Sequence, residues 1–162
     1  MIKHPLLTTY CLSARRANFP NGKFGLKLMN DASSILHYSY KKCCKAGIKK
    51  EYSQKELDAF ENLASRFSRL SDIILQKILR SIHSIDLDDV NTLRDSINLV
   101  EKKRLIKDAV EMIEMRELRN SVVHEYIPEV IKNIFIKSLK LTPSLLKNVE
   151  LINQYCHSKY QI

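Results

Sequence analysis

Turn-forming residues are scarce in this chain: 3 glycines and 4 prolines are spread over 162 residues. A β-rich chain of this length changes direction often and draws on those residues at many of its turns. Their scarcity predicts a handful of long helices instead. Hydrophobic residues at 44% and charged residues at 28% suit one folded domain with a single substantial core.

The chain divides accordingly. Residues 1–24 carry Asn18, Pro20, Asn21 and Gly22 and read as an irregular arm, leaving 25–162 for a helical domain. A first helix is expected from Leu26 to Lys45, with Leu28, Met29, Ala32, Ile35, Leu36 and Cys43 inward and Gly47 as its stop. Ser53-Gln54-Lys55-Glu56 is a capping box. Behind it, Phe60, Leu63, Ala64, Phe67, Leu70, Ile74 and Ile78 recur at steps of three and four, a helical stripe reaching Ile82. Asp88 or Asp89 is expected to cap a third helix, 90–103, with Leu93, Ile97 and Val100 inward. A fourth from Leu105, with Ile106, Val110 and Ile113 inward, runs into Arg119. Pro128 suits the first turn of a fifth, 128–141, and Thr142-Pro143 opens a last one to Tyr160. The fold class is therefore all-α, a bundle of five to six helices.

Charge is unevenly placed. Residues 1–50 hold 10 Lys/Arg and 1 acidic residue, which accounts for the whole formal charge of +9. Lys41, Lys42 and Lys45 lead this cluster and are candidate contacts for a polyanion, with RNA as the natural one. A solvated basic face is the plainer alternative. An anionic membrane fits less well, because no bulky apolar face with Trp accompanies the lysines. The apolar stretch near the N-terminus is short and interrupted, so no secretory signal is expected, and no uncharged run is long enough for a membrane span. These features predict a cytoplasmic protein. Cys11, Cys43, Cys44 and Cys156 form no CxxC pair, and His4, His37, His83, His124 and His157 are scattered; reduced thiols and no metal or other cofactor are expected.

Chemistry concentrates in Arg119-Asn120-Ser121-Val122-Val123-His124-Glu125-Tyr126. Arginine presents a planar fork of donors suited to phosphate oxygens, and histidine gives and takes protons near neutrality. Metal-free RNA cleavage needs those two groups: one for proton transfer at the 2′-hydroxyl or the leaving 5′-oxygen, one for charge on the phosphoryl oxygens. Asn120 and His124 share a helix face. Arg119 and His124 stand about 140° apart on an ideal helix. They meet on one phosphate only if the helix ends or bends inside the motif, or if two copies face each other. The competing structural reading is an ordinary helix end, with Asn120 and Ser121 bonding locally, Val122 and Val123 in the core, and His124 partly buried.

The string RNSVVHEY, set after AVEMIEMREL, resembles the R-x4-H-x-Y signature of HEPN domains, and within them the HepT-type toxins paired with a minimal nucleotidyltransferase antitoxin. The similarity takes in the earlier helix AFENLASRFSRLSDIILQKIL and spans residues 25–160. It implies an up-and-down bundle that homodimerises to bring two motifs into one cleft, and metal-independent endoribonuclease activity. By position, Arg119 and His124 would be catalytic, Asn120 and its neighbour Ser121 supporting, and Tyr126 the site where the nucleotidyltransferase attaches AMP. An anion there would block RNA by bulk and like charge. The resemblance also admits a non-catalytic HEPN module, the helical substrate-binding partner of a nucleotidyltransferase. It does not say which RNA is cut.

Overall fold

The computed structural model describes residues 20–124 and 128–161 of the chain. Among them every regular element is helical. Helix α1 (Pro20–Ala46) is followed by α2 (Gln54–Asp72). The latter continues without a break through a π-helical segment (Ile73–Ile78) into α3 (Leu79–Asp86). Then come α4 (Leu93–Lys102), α5 (Ala109–His124) and α6 (Pro128–Tyr160). Helices α1, α2, α5 and α6 pack on one another as a bundle, and α4 docks beside them through α3 and α5. No helix among the described residues is long and apolar enough to cross a membrane.

The α2 stripe forms the centre of the core as its spacing predicts: Phe60, Leu63, Phe67, Leu70 and Ile74 are fully buried. Phe60 stacks on Phe135 of α6 at 5.2 Å and takes the edge of Tyr52 at 5.0 Å, joining the N-terminal ends of α2 and α6. The capping box is present, with the Ser53 N–H donating to Glu56 Oε2 at 3.0 Å. Gly47 ends α1 at φ +67°, a left-handed conformation that glycine adopts without Cβ strain, and its N–H returns to the Cys43 carbonyl at 3.0 Å. The π-helical segment widens one turn of the long helix, so Ile73, Ile74, Leu75 and Ile78 are all buried. Helix α1 presses closely there: a Cβ on Gly25 would lie 3.2 Å from the Ile78 side chain.

Several boundaries and faces differ from the sequence pattern. Helix α1 begins at Pro20, where a missing N–H costs no helical bond, so the expected arm of residues 1–24 extends at most to residue 19; residues 1–19 lie outside the described residues. Ile35 is exposed and Leu28 half-buried, because Met29, Ala32, Leu36, Ser39 and Cys43 already fill the inner face of α1. Thr92, not Asp88 or Asp89, caps α4: its hydroxyl accepts the Asp95 N–H at 3.1 Å, and Asp95 Oδ2 accepts the Thr92 N–H at 3.2 Å. The two aspartates belong to the turn after α3, which Leu87 reverses at φ 56°.

Helix α5 starts at Ala109. Leu105 and Ile106 are buried in the connection before it, so the inward stripe is Ala109, Met112, Met115 and Leu118, and Val110 faces water. The two helices expected over 128–160 are one. Pro143 sits on the exposed side of α6, where a carbonyl left without its helical donor can meet solvent, and Thr142 Oγ1 bonds the Ser138 carbonyl at 2.6 Å. The apolar stripe Phe135, Leu141, Leu145, Val149, Ile152, Cys156 and Tyr160 runs past that point unbroken, and burying it holds the helix together.

Candidate functional site

The phase of α5 places the motif. Asp108 Oδ1 accepts the Glu111 N–H at 2.8 Å and Glu101 Oε1 accepts the Ala109 N–H at 2.8 Å, so two carboxylates hold the positive end of the helix. The buried Asn148 of α6 accepts the Lys107 N–H at 2.9 Å and fixes the approach to it. With Met112, Met115 and Leu118 turned into the core, Arg119 falls at the edge of the buried face, beside α2.

There the guanidinium meets Asp72, the residue at which α2 gives way to the π-helical segment. Arg119 Nη2 donates to Asp72 Oδ1 at 2.9 Å and Oδ2 at 3.0 Å, and Nη1 donates to Asn120 Oδ1 at 2.9 Å. Arg119 and Asp72 keep 36% and 40% of their side-chain surface in solvent. The guanidinium is thus held at two nitrogens, with the remaining donors of its fork available to an incoming anion. The adjacent carboxylate offsets the guanidinium's charge, so this arginine is a positioned donor rather than an isolated cation.

Arg119, Asn120 and Asp72 are therefore brought together. Ser121 is not part of that group: its hydroxyl bonds back to the Glu117 carbonyl at 3.2 Å, and it lines a cavity of about 400 Å³ between α5 and α6. Glu114, Glu117, Lys137 and Lys140 give that cavity mixed charge. Arg119 and His124 both fall within the helix described over Ala109–His124. The side chains of Val123 and His124 lie outside the described residues, as do Glu125 and Tyr126. Val122 is half-buried against the core.

Lys41, Lys42 and Lys45 are exposed near the C-terminal end of α1. The loop that follows is tied to the start of α6, with Lys132 Nζ donating to the Lys50 carbonyl at 3.1 Å. The basic stretch thus ends at the same end of the bundle as the start of α6.

Cys43 and Cys156 are buried free thiols and Cys44 an exposed one; Cys11 lies outside the described residues. Burial pushes the Cys43 thiol up to about 11 and the Cys156 thiol up to about 12. Neither is a thiolate near neutrality. Among the described residues no group of three or more His, Cys, Asp or Glu side chains is arranged to hold a metal ion.

Two features went unread in the sequence. Asp72 is one; a lone carboxylate inside the apolar run Leu70 to Leu75 was the available signal that a cation lay opposite. The other is the polar cluster around Asp86 at the far end of the long helix. Comparison with protein-family models, curated proteins and solved structures finds no match for this chain.

Proposed function

We propose that this chain is a metal-independent endoribonuclease of the HEPN type, in which Arg119 and His124 act on one phosphodiester in a cleft formed by two copies. What carries the reading is the Arg119 guanidinium: part-exposed, fixed by Asp72 and Asn120, and five residues before a histidine of the same helix. Positions five apart stand about 140° around an ideal helix, so the reading calls for a second copy to complete each site. His124 would move the proton and Arg119 would take the charge that builds on the phosphoryl oxygens. Lys41, Lys42 and Lys45 would hold the RNA backbone, and AMP placed on Tyr126 by a partner nucleotidyltransferase would close the cleft.

The test is cleavage of total RNA in EDTA by wild type beside Arg119→Ala and His124→Ala. Each variant should lose 100-fold or more, roughly the contribution of one positioned acid–base or charge-stabilising group. Equal activity of wild type and His124→Ala would refute the assignment. RNA binding without turnover, with growth unaffected on expression, would favour the non-catalytic HEPN partner of a nucleotidyltransferase. Light scattering should report a dimer.

A further inference from the structure

A second constellation lies where α3, α4 and the turn between them meet. His83, 5% exposed, uses both ring nitrogens. Its Nδ1 stands 2.7 Å from Asp88 Oδ2 and its Nε2 stands 2.7 Å from the Ser96 hydroxyl. Asp88 is in turn paired with Lys103. Burial works against charge on Asp88, but the hydrogen bonds from Lys103 and His83 outweigh it and hold the carboxyl below its usual range. An ionised Asp88 accepts the Nδ1 proton. That leaves the Nε2 lone pair facing the serine hydroxyl, which is the tautomer a general base requires.

His83 and Ser96 both line a cavity of about 300 Å³, a size at the small end of ligand sites. Leu75, Val90 and Leu93 supply apolar wall, and Arg80 and Thr92 supply polar groups. The first turn of α4, its positive dipole end capped by the Thr92 hydroxyl and the Asp95 carboxylate, borders the same space at Thr92 and Leu93.

We propose that Ser96, His83 and Asp88 form a nucleophilic triad that hydrolyses small carboxylic esters bound in this cavity. Ser96 Oγ bonds to the carbonyl carbon as its proton passes to His83 Nε2, while Asp88 balances the imidazolium. Arg80 and the start of α4 take the charge on the carbonyl oxygen. The C–O bond to the alcohol breaks, and the alcohol leaves with the His83 proton. Water, giving a proton to His83, then attacks the acyl carbon and releases the acid, and Ser96 recovers its hydrogen. The order of roles follows from position: the serine edges the cavity, the histidine spans both partners, and the carboxylate is set back against a lysine.

The full chain should be treated with a fluorophosphonate probe, the modified residue mapped by mass spectrometry, and hydrolysis of p-nitrophenyl acetate followed alongside. Labelling at Ser96 is expected, with ester hydrolysis falling about 100-fold or more in Ser96→Ala and His83→Ala. A wild type that takes no label at Ser96, or Ser96→Ala hydrolysing as wild type does, would overturn the triad and leave the cluster a structural clamp. Because truncation here opens a buried network, Ser96→Cys provides a folded control. Its thiol should react with iodoacetamide at least 10-fold faster than Ser96→Cys combined with His83→Gln, both showing wild-type helical circular dichroism. Equal rates would also overturn it.

Discussion

At the scale of single residues, the pairing of Arg119 with Asp72 decides what the motif can do. An ion pair with this much solvent contributes little to stability, about 0.5 kcal/mol, so its value is geometric. It fixes a guanidinium that would otherwise sample many rotamers. Asp72→Ala is therefore expected to leave the urea unfolding midpoint nearly unchanged while lowering the proposed RNA cleavage about 10- to 100-fold, since small misplacements of a charge-stabilising group are costly. A variant that loses stability and activity together would assign Asp72 to the scaffold instead. The sequence made Arg119 conspicuous and Asp72 far less so. The arginine belongs to a local string, whereas its partner is 47 positions away and only packing brings them together.

Among the helices, legibility followed burial. The stripe of α2 could be read because its inward positions, Ser71 apart, are apolar and the capping box marks where the count begins. Helix α5 could not be phased the same way, because Leu105 and Ile106 are core residues that precede the helix and mimic its first turn. Pro143 misled for a related reason: it forbids a donor, but on the exposed side of a long stripe that loss is tolerated. The capping box also sets a pH response. Hydrogen bonds from Lys49, then from the Ser53 backbone and hydroxyl, lower the Glu56 carboxyl from 4.5 to about 2. A carboxyl depressed on folding stabilises above its unfolded value, and that contribution fades as pH falls from 4.5 towards 2. Thermal melts of Glu56→Gln should lie below wild type at pH 6 and converge with it near pH 2.

For the molecule as a whole, one fastening is polar. Asp86, with 3% of its side chain exposed, accepts hydrogen bonds from Lys103 at 2.8 Å, Lys159 at 2.8 Å, Tyr155 at 2.6 Å and Tyr160 at 2.9 Å. Burial opposes its charge, but those four donors prevail and hold it well below the usual carboxylate range. Burial and the same carboxylate push both phenols far above theirs, so they remain donors. Removing the centre of such a network leaves Lys103 with Asp88 alone and takes the carboxylate from Lys159 and both phenols. Asp86→Ala should cost about 1 to 3 kcal/mol in urea unfolding, with far less loss at a pH low enough to protonate the wild-type carboxyl. No periodicity announces this hub, since Asp86 sits where the apolar pattern of the sequence stops.

Three of the groups that gather on Asp86 come from the final turns of α6, 69 to 74 positions away along the chain. Contacts so distant in sequence form only after the intervening loops have closed, and until then the carboxylate keeps its water. The cluster therefore acts as a latch and not as a seed: it slows the escape of the finished bundle far more than it hastens its assembly.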